Sequence, residues 1–185
     1  MWVWTSLDGG RAFGPATRVN DTPRRDGTTQ YLVGLAVAPG GRLDAVYYDR
    51  RRDSLDVANE VSFQSSHDAG ATFTPAVVLS DRPFDSRIGP GSERGMPELG
   101  NRLGLVSTPS RALAVWADTR AGTDASRKQD VVRAVVALPP PAELARPLRL
   151  FLRLGGSAMS LAGAGIAAGA LARRRRTAVV VDGPG

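Results

Sequence analysis

The sequence repeats itself, and the repeat limits what the chain can fold into more than any other feature. Ser6-Leu7-Asp8-Gly9-Gly10-Arg11-Ala12-Phe13 returns sixty positions later as Ser66-His67-Asp68-Ala69-Gly70-Ala71-Thr72-Phe73, and Pro15 and Asp21 return as Pro75 and Asp81. A second self-match, at an offset of 69, sets Arg42-Leu43-Asp44-Ala45-Val46-Tyr47-Tyr48-Asp49-Arg50-Arg51 against Arg111-Ala112-Leu113-Ala114-Val115-Trp116-Ala117-Asp118-Thr119-Arg120. Gly34-Leu35 and Gly104-Leu105 extend it at an offset of 70. Self-similarity at such a period marks an array of supersecondary units. Short Val/Ala/Leu/Tyr runs broken by Gly/Asp/Arg/Pro clusters make those units β-structure.

The complete copy reads as four strands, near 31–38, 43–49, 56–65 and 73–79. The first copy supplies only its last hairpin, and the last copy, about 103–136, only its first three strands. A repeated four-stranded antiparallel unit is a propeller blade. The expectation is therefore an all-β chain: a partial β-propeller of about two to three blades over residues 1–138, followed by a single C-terminal transmembrane helix. The hairpin between the third and fourth strands carries S-x-D-x-G-x-T-F. In such a turn the Asp accepts backbone N–H groups, Gly takes positive φ, Ser or Thr ties the loop back, and the aromatic packs beneath.

This hairpin resembles the Asp-box, or bacterial neuraminidase repeat, of the sialidase-like β-propellers. Its residues are Ser6, Asp8, Gly10 and Phe13 in the first copy and Ser66, Asp68, Gly70, Thr72 and Phe73 in the second. The second matches the pattern with Phe73 for the more usual Trp, and the first has Ala12 where Thr is expected. The phrases VYYDRRRDSLDV, VWADTR and QDVV are similar to central blade strands of exported sialidase-like proteins. For an active sialidase the resemblance implies an Arg triad for the substrate carboxylate, a Tyr nucleophile activated by a Glu, and an Asp acid/base near the axis. It also implies that the boxes lie at the blade periphery, away from substrate. No stretch matches the family's Arg-Ile-Pro motif, so no catalytic residue is carried over.

The residues themselves offer weaker candidates. Tyr48 aligns with Ala117, Glu60 with Ala134, and Glu93, Arg94 and Glu98 sit in an irregular insertion where binding loops tend to occur. Tyr48, Glu60 and Glu98 are the candidates for catalysis, and Arg94, Arg51 and Arg120 for substrate binding. Asp49 with Arg51 recurs as Asp118 with Arg120, which fits a carboxylate clamp or an ion pair bracing a turn. A catalytic group is needed once, so recurrence favours the brace. The run Arg50-Arg51-Arg52 reads as a solvated loop cluster, Tyr47 and Trp116 as packing, and His67 as an exposed turn residue.

Composition narrows the chemistry. With no Cys and one His among 185 residues, thiolate nucleophiles, disulfides and Cys-based zinc sites are excluded, and no metal site or cofactor is expected. The formal charge of +6 suggests nucleic acid until it is located. From Pro139 onward seven Arg stand against Glu143 and Asp182, leaving 17 basic and 16 acidic groups in the body. A nearly neutral body argues against phosphate binding.

The tail reads as a membrane segment. Pro139, Pro140, Pro141 and Pro147 mark a linker over 139–150. Residues 154–172 carry no charge, and as a helix they would span roughly 28 Å, near the thickness of a bilayer core. Arg173–Arg176 would close the span 151–176 on the cytoplasmic side, with 177–185 a short tail and the body outside. Five Gly and many Ala keep an amphipathic surface segment open as the alternative. The sequence before Asp8 has no export signal, so the body is either cytosolic with a tail anchor or part of a longer exported protein.

Propellers close with typically four to eight blades, so the missing blades are expected from a longer chain or from self-association. The function expected is that of a membrane-anchored, sialidase-like glycoside hydrolase portion acting on extracellular glycans. A noncatalytic Asp-box propeller binding glycans or a surface partner is the alternative.

Overall fold

The computed structural model describes residues 1–89, 99–100 and 103–138. The linker, the uncharged segment and the Arg cluster lie outside these residues, as do Glu93, Arg94 and Glu98. The described part is all-β and antiparallel, with ten strands in three sheets that do not close on themselves.

The first sheet is the hairpin β1 (Trp2–Val3) and β2 (Thr17–Arg18). The central sheet runs β3 (Gln30–Val37), β4 (Leu43–Asp49), β5 (Ala58–Ser66), β6 (Val77–Val78), with β7 (Phe84–Asp85) also paired to β5. The third sheet is β8 (Gly104–Ser107), β9 (Arg111–Asp118) and β10 (Asp130–Ala137), with β9 in the middle.

The ladders carry the repeat residue by residue. Trp2 pairs with Arg18 and Val3 with Thr17, and sixty residues on Ser62 pairs with Val78 and Phe63 with Val77. Gly34 opposes Val46 and Leu35 opposes Ala45, as Gly104 opposes Val115 and Leu105 opposes Ala114. The change of offset from 70 to 69 falls in the loop joining these strands, one residue longer in the first case. Asp49 opposes Glu60, and its counterpart Asp118 opposes Asp130. The repeat position of Glu60 is thus held by an acid, Asp130, and not by Ala134. The ladder sets this register, and a loop one residue longer between β9 and β10 hides it in the sequence.

The fourth strand is also shorter than the pattern suggests, two residues in place of 73–79. Pro75 has no N–H to give, and the Ala76 N–H goes to Asp21 Oδ2 at 2.9 Å rather than to the ladder. Pairing with β5 resumes at Val77.

Two apolar clusters pack the three sheets. Val19, Ala45 and Tyr47, joined by Met1, Val3 and Phe73, fill the space between the first and central sheets. Val46, Tyr48, Val61 and Phe84 meet Ala114 and Trp116 between the central and third sheets. Strands β4 and β5 are therefore buried along nearly their whole length, whereas β9 alternates buried with half-exposed residues. That difference is what covering two faces rather than one does to a strand. At Gly34 the third sheet comes so close that a Cβ would stand 3.1 Å from the Leu103 carbonyl oxygen, a contact that favours glycine there.

Candidate functional site

The two Asp boxes are built alike. Ser66 Oγ donates to Asp68 Oδ1 at 2.8 Å and accepts the Gly70 N–H at 2.8 Å, while the Thr72 N–H and hydroxyl both donate to the carboxylate. In the first copy Ser6 Oγ donates to Asp8 Oδ1 at 2.7 Å and accepts the Gly10 N–H, and Arg11 and Ala12 give their N–H groups to Asp8. Gly70 and Gly10 hold φ of 87° and 88°, the region glycine enters without steric cost. The hydroxyl and N–H of Thr72, with Ser66, hold the Asp68 pKa down at about 2. Asp8 is also lowered, chiefly by the Ala12 N–H and Ser6, without a hydroxyl from position 12. All these carboxylate bonds close the turns on themselves. Phe73 packs against the cluster below the first sheet, whereas Phe13 is 63% exposed. His67 is exposed beside its box.

A second constellation lies at the other end of β4. Arg51 donates through Nε to Asp49 Oδ2 at 2.5 Å, through Nη1 to Asp21 Oδ1 at 2.6 Å and through Nη2 to the Tyr47 hydroxyl at 3.1 Å. Asp49 is fully buried and also accepts from Ser62 Oγ, Gln30 and the Arg51 N–H. Burial works against charge on Arg51, but the Asp21 bond and the Asp49 field outweigh it and raise its pKa. Burial likewise opposes the Asp21 charge, and the Ala76 N–H and Arg51 bonds overcome it, so that pKa is lowered.

The third sheet repeats the arrangement. Arg120 pairs with Asp118 on its own sheet and with Asp81, the residue sixty positions after Asp21. Asp21 follows β2 of the first sheet and Asp81 follows β6, its repeat counterpart, in the central sheet. In both cases the arginine fastens its own sheet to the end of the sheet before it. The recurrence of Asp21 as Asp81 was the sequence signal of this bridge. A further cross-sheet clamp repeats only in its arginine, since Arg42 recurs as Arg111 but Asp44 aligns with Leu113: Arg42 pairs with the buried Asp44 and donates to the Pro109 and Thr108 carbonyls, while Ser107 Oγ donates to Asp44 at 2.6 Å.

The candidate residues do not converge on one centre. Tyr48 is fully buried, and its hydroxyl donates to the Ala117 carbonyl oxygen at 2.9 Å. Burial raises its pKa well above the ordinary tyrosine value, and it does the same for Tyr47, whose hydroxyl donates to Gln64 Oε1 at 2.6 Å. Glu60 is buried, takes Arg52 Nη1 on Oε1 at 3.1 Å and leaves Oε2 without a hydrogen bond among the described residues. Of the three consecutive arginines only Arg52 is largely in solvent, against the sequence reading of a solvated run. Arg50 stacks 5.0 Å from the Tyr31 ring centroid and donates to Asn59, Ser86 and the Asp56 carbonyl.

Two of the open concavities among the described residues flank β5 and its box. One, of about 800 Å³, runs between the two boxes past Leu7, Phe13 and Pro15. The other, of about 760 Å³, lies at the opposite end of β5 and is bordered by Asp85, Arg87, Ile88, Thr123, Asp124 and Arg127. There Arg87 donates to Asp85 at 2.6 Å, and the Thr119 hydroxyl ties the third sheet to the Asp85 carbonyl. Among the described residues no group of three or more His, Asp or Glu is placed to hold a metal, and no helix is long and apolar enough to cross a membrane. Comparison with family models, curated proteins and solved structures finds no match to this chain.

Proposed function

We propose that the chain is a portion of a sialidase-like Asp-box β-propeller that binds a glycan without hydrolysing it. The observation that carries the binding role is the cleft of Asp85, Arg87, Thr123 and Asp124 at the start of β5. Its rim carries Arg87, 68% exposed and paired with Asp85, together with the Asp124 carboxylate and the Thr123 hydroxyl, a mixture that can meet sugar hydroxyls and a sugar carboxylate. It lies across the length of β5 from the central box, whose polar groups are spent on their own turn.

The noncatalytic reading is supported by how the candidate groups are engaged. A tyrosine nucleophile must reach substrate beside its base, and Tyr48 is sealed between two sheets. Arg51 and Arg120 already hold two carboxylates apiece. Residues 154–172 with Arg173–Arg176 complete the proposal as a single-pass anchor that keeps the body outside the cell.

The test uses the full-length chain in detergent. Glycan-array binding and sialoside release are measured together, on the native protein and on Arg87→Ala and Asp124→Ala variants. Retained binding that both substitutions weaken, with no release, is the expected result. Release of sialic acid by the native chain would replace this reading with the hydrolase. Absence of any glycan binding would remove it.

A further inference from the structure

Each sheet in this chain turns the same face toward the sheet before it. On the central sheet that face holds Ala45, Tyr47, Ser62 and Gln64, all buried beneath the first sheet. On the third sheet it holds Ala112, Ala114 and Trp116, buried beneath the central one. The opposite faces follow the same rule with one exception. Val46 and Val61 are fully buried against the third sheet, whereas their counterparts one repeat later, Val115 and Val131, are half-buried and exposed. Val131, the counterpart of Val61, is 81% exposed, Val106 and Val135 on the same face are 60% and 58% exposed, and exposed Arg133 stands between Val131 and Val135.

On the other side of the first sheet Arg24 lies 5.8 Å from the Trp2 ring centroid, and no sheet covers that side among the described residues. Trp2 and Trp4 stand at the positions of the buried Ser62 and Gln64, and they are 50% and 55% exposed. Phe13, at the position of the packed Phe73, is 63% exposed. The described residues thus carry two uncovered apolar faces of opposite sense: an aromatic one that suits a preceding sheet and a valine one that suits a following sheet. Exposed apolar side chains gathered on one face mark an interaction site, and here each set has an arginine beside it, Arg133 among the valines and Arg24 over Trp2. Inside the chain these two kinds of face already meet twice.

We infer that the aromatic face of a second copy of this chain, Trp2, Trp4 and Phe13, seats on the Val106, Val131 and Val135 face of the first. The contact continues the stacking already present between the three sheets. In it Trp2 of the second copy takes the place relative to Val131 that Val132 takes relative to Val61. Such a contact is head-to-tail, and copies joined by it form a ring when the rotation closes and a filament when it does not. Sheet stacking carries this inference and the proposed glycan role does not, so either can fail alone.

The absence of Cys makes the test clean. Val131→Cys and Trp2→Cys are introduced separately into the full-length chain, both at exposed positions, and circular dichroism confirms that each variant keeps its β-structure. The variants are treated in detergent with a short bis-maleimide, alone and mixed. Head-to-tail seating predicts a cross-linked dimer in the mixture and its loss in either variant alone. No dimer in the mixture, or as much dimer from Val131→Cys alone, overturns the inference. Association through residues 154–172 would not distinguish the mixture from the single variants, so it counts against the inference in the same way.

Discussion

The Tyr48 hydroxyl donates to the carbonyl oxygen of Ala117, and Ala117 occupies Tyr48's own position one repeat later. The two residues are 69 apart in sequence and their oxygens 2.9 Å apart in space, so one period of the sequence carries the chain from one sheet to the sheet packed on it. The phenol ring fills the same interface, tilted against Tyr31 and edge-on to Phe84.

Replacing Tyr48 with Phe keeps the ring and strips the bond. The Ala117 carbonyl is then left without its side-chain donor, and the expected cost is about 1–3 kcal/mol, the usual price of an unsatisfied buried group. Urea unfolding of the variant beside the native chain measures it. A midpoint unchanged at constant slope would mean that the bond does not hold the sheets together.

The two Asp boxes supply their own control. Asp68 has the Thr72 hydroxyl and Asp8 has only Ala12 at that place. Carboxyl titration followed by NMR should find Asp68 near 2 and Asp8 above it. Thr72→Val should move Asp68 up toward the ordinary 3.8, and Ala12→Thr should move Asp8 down. Equal values for the two carboxyls in the native chain would contradict the role given to the hydroxyl.

Acid should loosen the contact between the central and third sheets. Burial opposes the charge on Asp44, but the Arg42 bond, then Ser107 and Ser65, outweigh it and lower the pKa. A carboxylate lowered on folding contributes stability that is whole above its unfolded value, near 3.8, and drains as pH falls toward the folded value. Stability of the native chain should therefore drop across that acid window. Asp44→Ala should cost about 3–5 kcal/mol at neutral pH, because it leaves the buried Arg42 unpaired, and should flatten the acid limb. Unfolding free energies measured between neutral pH and pH 2 decide this, and an unchanged acid limb would refute it.

What the sequence disclosed was local. The box hairpins are turn chemistry within eight residues, and β3, β4 and β9 announce themselves as apolar runs between turn residues. The bridge from Arg51 to Asp21 was not readable in the same way. Its partners are thirty residues apart and meet only when one sheet lies on the next, so only the shared recurrence of Asp21 and Arg51 hinted at it. Arg50 looked like one of three solvated cations because sequence cannot show the Tyr31 ring and the Asn59 and Ser86 acceptors that gather round it. The register of Glu60 against Asp130 was masked by a one-residue difference in loop length. Of the site candidates, Tyr48, Arg51 and Arg120 lie between sheets and join them.

The repeated Arg–Asp bridge is what fastens each sheet to the one before it. It is tested most directly by thermodynamic double-mutant cycles on Arg51 with Asp21 and on Arg120 with Asp81. Both aspartates are partly in solvent, so the account predicts a modest favourable coupling in each cycle, about 0.5–1 kcal/mol. The two couplings should agree, since the bridges are one device used twice. Coupling absent from both cycles, with glycan binding lost in the Arg51 and Arg120 single variants at undiminished stability, would contradict the account and return those arginines to a ligand.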